Sequence, residues 1–215
     1  NAPKYDVANW SLTVQGEEVS SHFINHTFKQ REKGVFDTGS KGIDAPVVYV
    51  GKGLEEDFSN VDVKGKIVLC DIKFHDFHLQ ALQSIASFFY DPRNTILKGV
   101  SHADPYTPNN FPYNYFYALQ RGAVGFVGIL EDYFDHCTYM NEDYTSRGKA
   151  WEIDWMNIPG LWISKSDGRR IKNAIEACGS VPAKITMRAT CEDSVANNVV
   201  GYLPGKSKDI IMIHS

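Results

Sequence analysis

Residues 57–71, DFSNVDVKGKIVLCD, decide the fold of this chain. A polar corner around Gly65 runs directly into the apolar residues 67–70, and this pattern predicts a strand that is buried on both faces. Further along the chain, residues 115–122 predict a short helix that ends at a glycine, and residues 123–130 predict a second buried strand. A strand, a helix and a strand in this order predict a parallel crossover connection.

The overall composition is that of an ordinary globular protein. The 215 residues are 43% hydrophobic and 22% charged, which allows one or two domains with a sizeable core. A net charge of −4 gives no basic surface of the kind that binds nucleic acid, so we expect no nucleic-acid partner. No apolar run approaches the length of a membrane span, and no secretory signal peptide is recognisable.

Local patterns predict further elements on both sides of this core. Alternating apolar and polar residues around a glycine predict a β-hairpin, and a Pro-Gly pair predicts a turn between two strands. These elements are the hairpin at 10–19, a strand at 46–50, a helix at 167–177 closed by Gly179, a half-exposed strand at 184–189, and two strands within 194–205 and 208–215.

A series of short motifs resembles a protease-associated (PA) domain. The motifs are PVVYVG at 46–51, EED at 55–57, VKGKIVL at 63–69, Ala118 with GAVG at 122–125, and IPGLWIS at 158–164. The resemblance covers residues 44–190 and is specific because several motifs recur in one order. It implies an α+β fold, a β-sandwich or open barrel with a few flanking helices and short flanking strands. Residues 1–43 are then an N-terminal flanking segment that contains the hairpin.

The last part of the sequence resembles the opening of a peptidase domain. NVVGYLPG at 198–205, followed by an apolar run, is similar to the start of the catalytic domain in zinc-dependent aminopeptidases and carboxypeptidases of the M28 class. In that family a His-x-Asp motif after this strand supplies the first ligands of a two-zinc site. The ligand histidine is expected at or just after Ser215, with His214 as the alternative. Residues 191–215 are therefore expected to be the truncated start of such a domain.

The two resemblances together imply a function. The chain is expected to be the non-catalytic PA domain of a zinc-dependent M28-type aminopeptidase, where it helps substrates reach the active site or binds proteins. They imply no catalytic residue, metal ligand or cofactor in this chain, and two zinc ions in the parent protein. The implied partners are the peptidase domain of the same chain and a peptide or protein substrate. An extracytoplasmic or secreted location is expected over a cytoplasmic one.

Residues 74–117 form an insertion that is rich in aromatic residues. Eleven of its 44 residues are Phe or Tyr, and apolar side chains at helical spacing predict a helix over 76–90, ended by Asp91-Pro92. Two interpretations stay open, because these rings can form a small satellite core or an exposed binding face. The candidate binding residues are Phe88, Phe89, Tyr90, Phe111 and Tyr113.

An alternative hypothesis makes the chain an enzyme. His102 and Asp104 have the His-x-Asp spacing of metal ligands, and HDFH at 75–78 gathers further metal-binding side chains, so a metal hydrolase is conceivable. Glu131-Asp132 could form a catalytic carboxylate pair, although polar residues also commonly end a strand. No nucleophile-elbow or phosphate-loop motif occurs in the sequence. A stand-alone protein- or ligand-binding module is a further alternative.

Cysteines and glycosylation motifs bear on the compartment. The four cysteines show no C-x-x-C spacing, and Cys70 is predicted to be a small buried hydrophobe. A disulfide between Cys178 and Cys191 is conceivable in an exported protein. Asn9-Trp10-Ser11 and Asn25-His26-Thr27 would accept glycans in a eukaryotic secretory protein, although such triplets often arise by chance.

Overall fold

A computed structural model describes residues 2–29, 33–78, 81, 84–88, 90–93, 101–131, 134–141, 155–197 and 199–205. Its strands are β1 (Ala2–Val14), β2 (Glu17–Val19), β3 (Ser21–Phe23), β4 (Gly34–Asp37), β5 (Ile43–Tyr49), β6 (Ile67–Ile72), β7 (Phe74–His78), β8 (Ser101–Pro108), β9 (Gly125–Leu130), β10 (Gly160–Ser164) and β11 (Val181–Ser194). Its helices are α1 (Tyr113–Gln120), α2 (Lys165–Cys178) and a 3-10 turn (Glu55–Phe58).

Nine strands form one mixed sheet in the order β2-β1-β11-β5-β6-β9-β10-β3, with β4 paired to β11. The neighbours β5, β6, β9 and β10 are parallel, as the predicted crossover through α1 requires. The two ends of the sheet approach each other, since the Trp10 indole N–H donates to the Ser21 carbonyl at 2.9 Å. The sheet is therefore a nearly closed barrel, which confirms the predicted α+β fold.

The parallel strands are buried on both faces, as the apolar runs predict. In β6, Val68 and Cys70 face the layer that contains α1, whereas Ile67 and Leu69 face the barrel interior. All four side chains are fully buried. An apolar run without alternation therefore marks a strand with a packed layer on each side.

One close contact in the outer layer depends on a missing side chain. Gly128 lies in β9 beside the fully buried Trp162 of β10. A Cβ atom at Gly128 would lie 2.3 Å from a ring carbon of Trp162, far inside van der Waals contact. The large indole ring fits against the sheet because this residue is glycine.

Several predicted boundaries agree with the structure. The hairpin at 10–19 is present, with its turn at Gln15 and Gly16, and the helix at 167–177 begins slightly earlier at Lys165 and ends before Gly179. The predicted strand at 184–189 is the centre of the longer β11. This strand is longer because it pairs with β1, β4 and β5. Its side chains alternate between buried and more exposed, as predicted.

Two predicted elements differ from the structure. The helix predicted over 76–90 is wrong at its start, because residues 76–78 belong to β7, which pairs with β8. Pairing with a distant strand outweighs helical spacing there. Only residues 81, 84 and 85 of the described part of that segment are helical. The strand predicted after residue 194 is also absent, since residues 195–197 and 199–205 have no regular structure. The strand predicted at 208–215 lies outside the described residues.

Neither described α-helix has the length and apolar character needed to cross a bilayer.

Candidate functional site

Charged side chains meet where the parallel strands end. Tyr49 ends β5, Asp71 lies near the end of β6, Glu131 directly follows β9, and Lys172 comes from α2. We call these four residues the carboxyl-edge cluster. The carboxyl ends of parallel strands are where open α/β sheets bind ligands, so this cluster is the first candidate for a site.

The packing of α2 brings its lysine to this edge. Ser164 caps the start of the helix, and its hydroxyl oxygen accepts a hydrogen bond from the Asp167 backbone N–H at 3.1 Å. One turn later Gly168 lies against β9, where an added Cβ would be 2.4 Å from an Ile129 methyl carbon. Lys172 is one further turn along the same face. The missing side chain at Gly168 therefore lets the helix lie close enough for Lys172 to reach the strand ends.

Lys172 joins both carboxylates. Its ammonium donates to Glu131 Oε1 at 2.6 Å and to Asp71 Oδ1 at 3.0 Å, and it lies 5.3 Å from the centre of the Tyr49 ring. The Tyr49 hydroxyl donates to the other Asp71 oxygen at 2.6 Å. The three charged side chains are only 15–22% exposed, so water screens these contacts weakly.

The cluster holds its members in definite protonation states. Burial by itself lowers the pKa of Lys172, but Glu131 and Asp71 outweigh this effect and raise that pKa above its ordinary value. Burial and the hydrogen bond to Asp71 raise the pKa of the Tyr49 hydroxyl. At neutral pH Lys172 is therefore charged and Tyr49 is protonated.

This arrangement favours a structural role over a chemical one. To act as a base, Glu131 would have to break its contact with the Lys172 ammonium. To bind a metal ion, both carboxylates would have to give up their contacts with that ammonium. The hypothesis of a catalytic pair at Glu131-Asp132 gains no support from Glu131, while Asp132 lies outside the described residues. The cluster ties α2 to the ends of β6 and β9.

The candidate binding residues separate into two groups. Phe88 and Tyr90 are 81% and 77% exposed, and Tyr113 at the start of α1 is 42% exposed. Phe111 is instead a core residue, 3% exposed, with its ring centre 5.0 Å from that of Trp162. Its position in the core makes it unavailable as a surface contact. Phe89 lies outside the described residues.

The sequence pattern missed one member of the exposed group. Ile85 is 79% exposed and belongs to the same segment as Phe88 and Tyr90. We call these three residues the exposed apolar segment. These three side chains therefore do not pack into a core in this structure.

The histidine-rich strands of the insertion pair with each other. The register places His102 opposite Phe77 and His78 opposite Ser101, so the two histidines are not direct partners across the ladder. Among the residues that the structure describes, no three His, Cys, Asp or Glu side chains converge as metal ligands.

The cysteines are all unpaired. Cys178 is exposed at the end of α2, whereas Cys191 is buried in β11, so the disulfide considered between them is not formed. Cys70 is buried as predicted, and burial raises the pKa of its thiol well above the ordinary value.

Sequence reasoning overlooked Asp71 and Lys172. The apolar runs of β6 and β9 are each followed by an acid, as the sequences IVLCD and GILE show. Parallel pairing of the two strands brings these acids to the same edge of the sheet. That shared pattern could have identified the carboxylates. The lysine partner depends on how α2 packs, which no local pattern reveals.

A scan against protein-family models and a search of curated proteins gave no match. Two solved structures have a similar fold. An aminopeptidase from Aneurinibacillus sp. strain AM-1 is 15% identical, with a TM-score of 0.51 over 88% of this chain and 34% of that one. A peptidase M28 precursor from Shewanella amazonensis SB2B is 13% identical, with a TM-score of 0.52 over 89% of this chain and 36% of that one. This chain thus spans about a third of either protein and has the fold of that part of them.

Proposed function

We propose that the chain is the non-catalytic PA-type domain of a zinc-dependent, M28-type aminopeptidase. The observation that carries the proposal is the extent of the structural match, which includes 88–89% of this chain but only 34–36% of the two peptidases. Residues 44–190 are the proposed domain, and strands from residues 1–43 complete its sheet. The two zinc ions and the catalytic residues would belong to the peptidase domain.

The segment after β11 supports a neighbouring domain. Its apolar side chains are 71–98% exposed to solvent: Val195, Val199, Val200, Tyr202 and Leu203. Such a concentration of exposed apolar side chains typically marks a contact surface. Residues 191–194 belong to β11, so we propose that the peptidase domain begins after Ser194 and covers these side chains.

The exposed apolar segment is the proposed contact with peptide. Aromatic side chains that are open to solvent can bury a substrate side chain and gain most of their binding energy from that burial. A domain that positions a peptide in this way lowers the KM for long substrates without supplying a catalytic group.

A second candidate function is a stand-alone binding module. The same three exposed residues favour it, because a binding face requires no peptidase. The two functions differ in one respect: a stand-alone module binds its ligand as this chain alone, whereas an accessory domain acts on the kinetics of the complete enzyme.

The test uses the complete protein with Phe88→Ala and Tyr90→Ala combined. We expect a several-fold rise in KM for peptides of several residues, with unchanged hydrolysis of a single aminoacyl amide. Val35→Ala is the matched control, since Val35 is also an exposed apolar residue but lies in β4. An equal effect on both substrates, or none on either, would contradict the substrate-positioning role. Retention of peptide binding by the chain alone would favour the second function.

A further inference from the structure

The two Asn-x-Ser/Thr triplets of this chain lie in very different surroundings. The sequence gives no reason to separate Asn9-Trp10-Ser11 from Asn25-His26-Thr27, because both satisfy the same acceptor pattern. The folded structure does separate them. The question is which asparagine can carry a bulky sugar on its side-chain nitrogen in the folded protein.

Asn25 is held on both sides by one buried residue. Its backbone N–H donates to Asn141 Oδ1 at 2.9 Å, and its side-chain Nδ2 donates to the Asn141 carbonyl at 3.2 Å. In return Asn141 Nδ2 donates to the Asn25 carbonyl at 3.1 Å. Asn141 is buried, so a sugar on Asn25 Nδ2 that moved it away would leave buried polar groups without partners.

The threonine of that triplet is also part of the core. Thr27 is fully buried, and its hydroxyl donates to the Ile24 carbonyl at 2.8 Å while accepting from the Gly160 N–H at 3.2 Å. His26 between them has a positive φ of 64°. The triplet therefore forms a tight turn against β10, in which Asn25 is half-buried and Thr27 is fully buried.

Asn9 is open to solvent. It lies in β1 just after a register irregularity that follows Val7, and its cross-strand partner is the exposed Arg188. In the part of the chain that the structure describes, no hydrogen bond or ion pair occupies the Asn9 side chain. Ser11 keeps its own hydrogen bond to the Thr186 hydroxyl at 2.7 Å, which a sugar on Asn9 would not disturb.

We propose that Asn9 is an N-glycosylation site of this protein and that Asn25 is not. Asn9 Nδ2 forms a bond to the anomeric carbon of an oligosaccharide that is carried on a polyprenyl diphosphate. The anomeric carbon–oxygen bond breaks, the polyprenyl diphosphate leaves with its electron pair, and Nδ2 loses one proton. The oligosaccharide is transferred before the chain folds. A chain that carries a sugar on Asn25 cannot form the Asn25 contacts described above, so we expect that it does not fold to this structure.

The test is to express the full chain behind a cleavable secretion signal in cultured eukaryotic cells. Secreted and cell-associated protein are treated with a glycan-releasing amidase, which converts a glycosylated asparagine to aspartate, and peptide masses then identify the occupied site. We expect one mobility shift and conversion of Asn9 alone in the secreted protein. Asn9→Gln and Ser11→Ala should each abolish the shift, and Ser11→Ala keeps the asparagine in place as the matched control.

The Asn25→Gln variant should still show the mobility shift, whether it accumulates as secreted or as cell-associated protein. Absence of a glycan at Asn9 in both pools would overturn the proposal, and so would a glycan at Asn25 in the secreted protein. Because occupancy is read from peptide masses, a variant that folds poorly still gives an answer.

Discussion

Lys172 Nζ lies 2.6 Å from Glu131 Oε1, although one residue belongs to α2 and the other follows β9. The same ammonium lies 3.0 Å from Asp71 Oδ1. One lysine thus contacts an acid at each of two parallel strand ends and ties α2 to both strands. Ligands often bind at this edge of a sheet, but here the contact gives the edge a structural role.

Replacing Lys172 by methionine should destabilise the protein. The change leaves two mostly buried carboxylates close together without their cation, and we expect a loss of roughly 1–3 kcal/mol in the free energy of unfolding. Urea unfolding measures this loss. Arg170→Met is the control. Arg170 lies in the same helix and also contacts acidic side chains, but it is 45% exposed, so this variant should lose less than about 1 kcal/mol in the free energy of unfolding. Equal losses for the two variants would contradict the structural role of Lys172.

Gly128→Ala should destabilise the outer layer of the core. The new methyl group would meet the Trp162 ring at 2.3 Å, and overpacking of this kind costs about 1–3 kcal/mol. Gly201→Ala is the matched control because nothing lies within 4 Å of its added Cβ. Adding Trp162→Phe to Gly128→Ala should reduce the combined loss below the sum of the separate losses, as thermal unfolding of all four variants would show. Additive losses would contradict the contact.

The stability of the protein should fall at alkaline pH through the carboxyl-edge cluster. Burial and the Asp71 hydrogen bond raise the pKa of Tyr49 above its ordinary value of 10.0, and the two acids raise the pKa of Lys172 above 10.5 despite burial. A raised pKa in the folded state gives stability that is complete below the unfolded value and is lost as pH rises through the folded value. The contribution of these groups should therefore be constant from pH 7 to 9 and fall above pH 10.

Tyr49→Phe isolates part of that effect. The variant should lose stability less steeply than the wild type above pH 10, while the difference between the two proteins stays constant between pH 7 and 9. Urea unfolding at a series of pH values measures both slopes. Parallel curves above pH 10 would show that Tyr49 has no raised pKa.

The four thiols should react with a maleimide in an order set by burial. Cys178 is exposed and should react first, the half-buried Cys137 should follow, and the buried Cys70 and Cys191 should react only after unfolding. Mass spectrometry of the intact protein counts the added groups at each time, and peptide masses locate them. Failure of the exposed Cys178 to react in the native protein until a reductant is added would contradict its unpaired state.

Local sequence explains the elements that carry their own pattern. The apolar runs at 67–70 and 123–130 do not alternate, and they contain β6 and β9, strands that are buried on two faces because each lies between packed layers. Helix α2 is capped by Ser164 and ends before Gly179, both of which are local signals.

The remaining features depend on residues that are distant in sequence. Phe111 and Phe88 are the same residue type in one insertion, but Phe111 is buried against core rings such as Trp162, whereas Phe88 is exposed. Residues 76–78 are a strand because β8 pairs with them. The Lys172 contacts likewise depend on the close approach of Gly168 to Ile129.

The most direct test of the proposed accessory role is a parallel measurement of bound zinc and aminopeptidase activity. It compares this chain with the complete protein encoded by the native reading frame, using metal analysis and hydrolysis of an aminoacyl amide. The account predicts that only the complete protein holds about two zinc ions and cleaves the substrate. Stoichiometric zinc and turnover by this chain alone, both lost with His102→Ala and Asp104→Ala, would contradict it and identify the chain as the enzyme.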